Sequence, residues 1–321
     1  MKKFFLKLII LGLITYSLLM SIQLVLDFYL KKDNSCNNNT WHKIYEGKLA
    51  TDILIIGTSR AESHYDTEVI NKITGLKTFN LGLSGTHYNI LKIRWKSYLN
   101  HNTKPKILIL DLDDGALQNS ENIYDKFQYL PYFGTPEYES VAEKIDSDYF
   151  FEKIIPIYKY RSYEMNIFNQ IKSLKSRSLC PKNVNGYIEH DINWIDKDYL
   201  NFKKILDKNI LPPKFDLHNY SLGLSVLSEI IKDCQINNIK VFFIWSPSYY
   251  ESQTYLSENK KHINLILEGI SKENNINYFN FSKDSLCFRK KYFYNSAHMN
   301  KNGVIIFSKK IGNLLNEKMH E

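Results

Sequence analysis

The chain has 321 residues, enough for one large α/β domain or two small ones, and its 44% hydrophobic content can fill a buried core. Its formal charge of +8 comes from Lys and Arg scattered along the sequence. With no basic stripe and no zinc-finger spacing this argues against nucleic-acid binding, and it suits a surface that faces an anionic envelope polymer or lipid headgroups. The four cysteines, Cys36, Cys180, Cys234 and Cys287, show no metal-ligand spacing and give no reason to expect a disulfide. Cys234 falls on the apolar face of an expected helix, and the Asn34-Ser35 pair ahead of Cys36 does not make a lipoprotein cleavage box.

The first element is an uncharged apolar run of 19 residues, Leu8 to Leu26. At ~1.5 Å per residue it matches a hydrocarbon core of ~30 Å. Lys2, Lys3 and Lys7 precede it and Lys31 and Lys32 follow, a slight positive-inside bias toward a cytoplasmic N-terminus. Signal-peptide cleavage needs small residues, and no Ala occurs before Ala50. The expectation is therefore a retained single-pass anchor over 1–32, with the rest of the chain outside the cytoplasm. Residues 33–48 open on the polar DNSCNNNT and read as a linker, and residues 49–321 as the folded domain.

That domain begins with TDILIIGTSRAESH, Thr51 to His64. The branched apolar run Ile53–Ile56 predicts a buried strand, Gly57 ends it, and the residues from Ser59 to Asn71 can wind as a helix. A strand passing through Gly-x-Ser into a helix sets a hydroxyl at the carboxyl end of a sheet, where open α/β folds bind ligands. Lys77–Asn80 predicts a second strand, followed by the loop Leu81–Thr86 and a helix carrying Ile90, Ile93, Trp95 and Leu99. Ile107–Leu110 is a third strand. Leu222, Leu224, Leu227, Ile230, Ile231 and Cys234 recur at helical spacing ahead of the strand Lys240–Trp245. A helix over Ile263–Ile270, a short strand over Tyr278–Phe281 and a last helix from about Asn300 complete the order. Repeated βα units predict a parallel sheet with helices on both faces. Between about 115 and 218 the alternation stops, and this Tyr-, Phe- and Asp-rich stretch reads as a mainly helical insertion. Its aromatics either line a carbohydrate or acyl groove or form the insertion's own core.

Near the end stands NSAHMNKNG, with His298 three residues after Asn295 and just before the last helix. In a doubly wound sheet the loop carrying His298 and the loop carrying Ser59 share one edge. A histidine there can take the serine proton and return it to a leaving group.

These blocks resemble the SGNH (GDSL-like) hydrolases, and among them the membrane-anchored members that modify envelope polysaccharides. GTSRA resembles the first block of that family and maps its nucleophile to Ser59. NLGLSG resembles the second and maps an oxyanion-hole glycine to Gly82, beside the backbone N–H of Ser59. NSAHMNKNG resembles the last block and maps the base to His298. The resemblance implies a flavodoxin-like three-layer α/β sandwich with a central parallel sheet. It implies a serine-dependent O-acyltransferase or esterase acting on acyl groups, acetyl above all, of an envelope polysaccharide or glycolipid. No metal or organic cofactor is implied, and the partner would be a polytopic membrane-bound O-acyltransferase. Two positions depart from the family. Asn295 stands where the orienting Asp is expected, and Asp111-Leu112-Asp113-Asp114 replaces Gly-x-Asn-Asp, so that Asp113 takes the place of an oxyanion-donating Asn. These departures keep open a non-catalytic glycan-binding or scaffold role, and cleavage after the apolar run would instead give a soluble secreted esterase.

Several further residues are candidates. Arg60 either binds an acidic sugar or pairs with an acid of the fold. His64 and His87 are alternative bases, and Asp284 an alternative carboxylate for His298. Ser246 and Tyr249, after the Lys240–Trp245 strand, either contact substrate or simply form a Pro-containing turn. Asp111, Asp113 and Asp114 lack a matching set of distant ligands, so no metal site is expected.

Overall fold

The computed structural model describes residues 1–32, 38–173, 183–207, 214–254 and 257–319. Cys36 and Cys180, and residues 33–37 of the expected linker, lie outside the described residues. The chain divides into two compact units, one of 47–120 with 181–321 and one of 1–46 with 121–180.

The first of these is built on the strands β1 (Ile53–Ile56), β2 (Thr78–Asn80), β3 (Ile107–Asp111), β6 (Lys240–Trp245) and β7 (Asn277–Asn280); two short strands, β4 (Asn183–Val184) and β5 (Tyr187–Ile188), form a separate antiparallel hairpin. The five strands make one parallel sheet in the order β2-β1-β3-β6-β7. This is the flavodoxin-like order, whose switch point lies between β1 and β3. All four residues of β1 are buried, which explains their unbroken apolar run. Side chains alternate between faces along a strand. Ile53, Ile55, Ile107, Ile109, Phe242 and Ile244 pack with the helices Thr67–Thr74 and Lys301–Met319 through Ile70, Phe307, Ile311 and Leu315. On the other face the helices Tyr88–His101 and Ser221–Ile236 are joined by Trp95 Nε1 donating to Asp233 (2.8 Å) and by the ion pair Lys92–Glu229 (2.7 Å). The result is the expected three-layer sandwich around a parallel sheet.

One helix differs from expectation. The stretch after Ser59 breaks in two, Ser59–His64 and Thr67–Thr74. Tyr65 is extended, and the Asp66 carboxylate caps the second helix by accepting from the N–H groups of Glu68 and Val69.

In the second unit an N-terminal helix runs from Lys2 to Lys31, and it is long and apolar enough to cross a membrane. A helix over Asn38–Glu46 occupies part of the expected linker because Trp41 and Ile44, three residues apart, are both buried. Trp41 packs on the rings of Tyr129 (5.1 Å) and Tyr132 (5.7 Å), and its Nε1 donates to Gln128 (2.9 Å). The aromatics of residues 121–180 thus include a core of their own, in which Tyr138, Tyr149 and Tyr160 are also buried. The expected insertion at 115–218 is shared between the units, since residues 115–120 and 181–218 group with the sheet.

Candidate active site

β1 ends at Ile56, and Gly57-Thr58 turn the chain into the Ser59–His64 helix, so Ser59 opens the helix at the carboxyl edge of the sheet. A residue at that position has no intrahelical acceptor for its N–H. The loop before the last helix brings His298 to the same edge, with Nε2 2.7 Å from Ser59 Oγ. On the other side of the ring Nδ1 lies 3.0 Å from Asn295 Oδ1. That same oxygen accepts from the backbone N–H groups of Ala297 (3.0 Å) and His298 (2.9 Å). Two backbone donors can face only the oxygen of the amide, so they fix its orientation, and the imidazole must donate from Nδ1–H. Nε2 is then left as an acceptor for the Ser59 hydroxyl. Burial, followed by the positive charge of Arg60 and the neighbouring His190, lowers the His298 pKa to about 4, so the ring is neutral at neutral pH. Tyr294 stacks on it at 5.6 Å. Gly303, in the last helix, allows this loop its close approach: a Cβ there would stand 2.4 Å from the Tyr292 carbonyl oxygen.

Gly82, the expected oxyanion-hole glycine, is bonded within the fold. Its N–H donates to Asn80 Oδ1 (2.8 Å), while Asn80 Nδ2 donates to the Ala61 carbonyl (2.7 Å). The glycine is required by packing, since a Cβ would fall 2.2 Å from the Glu62 nitrogen. Arg94 Nη1 donates to the carbonyls of Leu81 (3.1 Å) and Gly82 (2.8 Å), holding the loop down. In this arrangement Ser59 N–H, at the start of its helix, has no intrahelical partner, whereas Gly82 N–H is engaged.

Asp113 is not a bare carboxylate. It is ion-paired with the buried Arg60 guanidinium and caps the short helix Asp114–Leu117 by accepting from Ala116 N–H. Arg60 is thus paired within the fold, and both it and Asp113 also line the cavity beside Ser59; Arg60 Nη1 donates to the Ser246 carbonyl (3.2 Å). Ser246 is fully buried and away from the cavity lining, which corrects its expected substrate contact. Tyr249 is likewise absent from the lining. It packs against Trp194 (5.0 Å) and Phe293 (6.0 Å), and its N–H donates to the Ser296 carbonyl (3.0 Å), bracing the loop that carries Asn295 and His298.

His64 is not placed as a base. Its Nε2 accepts from the N–H of Met299 (3.0 Å), the residue after His298, so its Nδ1 carries the proton toward Ser246 Oγ (3.3 Å). Ser246 Oγ in turn donates to Asp111 Oδ2 (3.1 Å). Burial above all holds the His64 pKa well below the ordinary histidine range and raises that of Asp111. His87 lines the cavity, with Nδ1 3.0 Å from the Gly115 carbonyl. Asp284 caps Leu286 and pairs with Lys310, so it is not the partner of His298. The His64–Ser246–Asp111 chain and the bracing by Asn80 and Arg94 were not foreseen; only the apolar strand ends next to polar residues hinted at them.

Ser59 and His298 open onto a cavity of about 690 Å³. Its lining is rich in amides, hydroxyls and amines, among them Thr86, Ser252, Gln253, Asn264, Asn280, Lys261 and Lys283, with Trp245 as its large ring.

No family model matches the chain, and no curated protein sequence does. Among solved structures it is similar to a GDSL-like lipase from Bacteroides thetaiotaomicron VPI-5482, at 11% identity and a TM-score of 0.43 over 88% of this chain and 98% of that one. It is also similar to a protein described as of the G-D-S-L family from Desulfitobacterium hafniense DCB-2, at 10% identity and a TM-score of 0.39 over 82% of this chain and 98% of that one.

Proposed function

We propose that this chain is a serine-dependent ester hydrolase or O-acyltransferase of SGNH type, acting on acyl groups, acetyl foremost, carried by an envelope polysaccharide or glycolipid. The observation that carries the reading is the hydrogen-bonded row Ser59 Oγ, His298 Nε2, His298 Nδ1 and Asn295 Oδ1, with a neutral imidazole whose tautomer is fixed. Ser59 Oγ attacks the acyl carbonyl while its proton passes to His298 Nε2. The imidazolium then protonates the departing alkoxide, leaving an acyl-serine. Either water or a sugar hydroxyl then gives its proton to His298 and attacks that ester; the acyl–Oγ bond breaks, Ser59 Oγ takes the proton back from the imidazolium, and the acid is released or the transferred ester is formed. The Ser59 N–H favours the oxyanion in both halves. A cavity whose walls combine apolar surface and one large aromatic ring with amide, hydroxyl and amine groups suits an acylated sugar, and a membrane-spanning reading of the Lys2–Lys31 helix suits an envelope substrate. In the transfer direction the acyl group would come from a polytopic membrane-bound O-acyltransferase, with the sheet unit outside the cytoplasm.

The engaged N–H of Gly82 favours a second reading, glycan binding without turnover. Full-length protein treated with a serine-reactive fluorophosphonate and weighed intact separates the two. One adduct, lost in Ser59→Ala, supports the enzyme; a folded protein that takes none points to the binding role.

A further inference from the structure

Beside its buried aromatic core, the unit formed by 1–46 and 121–180 exposes several large apolar side chains while burying some of its charged groups. On the helix Tyr149–Ile154, Glu152 is buried and bonded to Lys126 (2.6 Å), while Phe150 is 65% exposed and Phe151 and Ile154 are exposed beside it. Ile155 continues that surface. On the helix Glu164–Ser173 the exposed residues include Met165, Phe168 and Ile171, spaced by three, so they form one stripe. A soluble surface keeps such side chains scattered, and a grouping of this kind marks a surface with a partner.

The N-terminal helix says what that partner is. Tyr16, Gln23 and Asp27 are separated by seven and four residues and lie on one stripe of the helix. All three are bonded to the segment 154–160. The Tyr16 hydroxyl donates to the Ile154 carbonyl (3.3 Å), Gln23 Oε1 accepts from Ile157 N–H (2.6 Å), and Asp27 receives Lys159 Nζ (2.9 Å) and the Tyr160 hydroxyl. Tyr16 stands ten residues before Leu26, ~15 Å along the helix and about half of a ~30 Å hydrocarbon core. Backbone polar groups brought to that depth need partners from protein, and Tyr16 and Gln23 supply them to Ile154 and Ile157.

We propose that the face formed by Phe150, Phe151, Ile154, Ile155 and the Met165–Phe168–Ile171 stripe is seated in the bilayer, in contact with the acyl chains of the leaflet from which the C-terminal end of the Lys2–Lys31 helix emerges. The unit is then a monotopic platform continuous with the membrane helix. The proposal rests on reading that helix as a membrane span, and the test separates the two. Full-length protein is reconstituted in nanodiscs of phosphatidylethanolamine and phosphatidylglycerol containing a phospholipid with a diazirine in its acyl chain, then irradiated, digested and mapped by mass spectrometry. The expected result is adducts on Leu8–Leu26 and also on peptides spanning Phe150–Ile155 and Met165–Ile171, with none on Gly47–Ser120. Adducts on the helix alone overturn the platform. Adducts on neither overturn the membrane reading of the helix itself. Cross-links between copies through Phe150–Ile171, with lipid adducts confined to the helix, assign the face to self-association and likewise overturn the proposal.

Discussion

Asn295 occupies a position where the chemistry calls for a negative charge. An amide in a catalytic triad can cost ~10⁴ in rate when it imposes the wrong imidazole tautomer. Here the Ala297 and His298 N–H groups hold the amide oxygen against Nδ1, so the tautomer is the productive one and only the charge is missing. A hydrogen bond to a charged acceptor exceeds one to a neutral acceptor by about 1–2 kcal/mol, which corresponds to roughly 5- to 30-fold in rate. Asn295→Asp keeps every acceptor in place, and it should raise kcat/KM for an activated acetyl ester by about that factor. The acid limb of the pH profile provides a second readout. With His298 lowered to about 4, the base is neutral throughout the neutral range, and wild-type activity should fall only as pH drops toward 4. A carboxylate at 295 favours the imidazolium, so the same limb should move to higher pH in the variant. An unmoved limb would show that His298 is not the base.

At the scale of elements, the strands were readable because burial on both faces leaves an unbroken branched run, as in Ile53–Ile56, or a nearly unbroken one, as in Lys240–Trp245. The break at Tyr65 was less visible, although Asp66 is a capping residue, because the apolar spacing continues across it. The hairpin β4–β5 was not readable at all: its strands are two residues long, and it is held from outside, by Asn80 N–H donating to the Asn185 carbonyl and Thr67 Oγ1 to the Val184 carbonyl. Ser59 and His298 stood out because each sits in a recognisable block beside a strand or helix end. The buried His64–Ser246–Asp111 chain did not, since its members are 182 and 135 positions apart. That chain gives its own prediction. His64→Ala leaves the Met299 N–H without an acceptor, a cost of about 1–3 kcal/mol, and it loosens the residue next to His298. The expected outcome is a fall in kcat with KM nearly unchanged, largely recovered in His64→Gln, which keeps an acceptor. The ring also affects stability. Its pKa is lowered on folding, so as pH falls below about 6.5 the unfolded chain binds a proton that the folded chain refuses. Urea unfolding should therefore show wild type losing more stability between pH 7 and 5 than His64→Gln.

At the scale of the whole molecule, the N-terminal helix is part of a folded unit as well as an apolar span. Lys159 is 2% exposed, and its ammonium is bonded to Asp27 and to the Leu130 carbonyl (2.8 Å). Leu30 packs with Phe127, Leu130 and Tyr160. A chain shortened to begin at residue 38 loses Asp27 and Leu30 together. Breaking a buried ion pair from one side costs about 3–5 kcal/mol, because the remaining charge stays in a low-dielectric site. The shortened protein should therefore be cut rapidly by protease within residues 121–173, while the sheet unit, whose strands and site residues lie in 47–120 and 181–321, stays resistant and keeps its reactivity at Ser59. Lys159→Met in the shortened chain removes the stranded charge and retains the packing stem, so protection of 121–173 should partly return. Limited proteolysis followed by intact-mass analysis reads both effects in one experiment. Equal cleavage patterns in the full and shortened chains would show that the Lys2–Lys31 helix contributes nothing to the fold beyond its attachment.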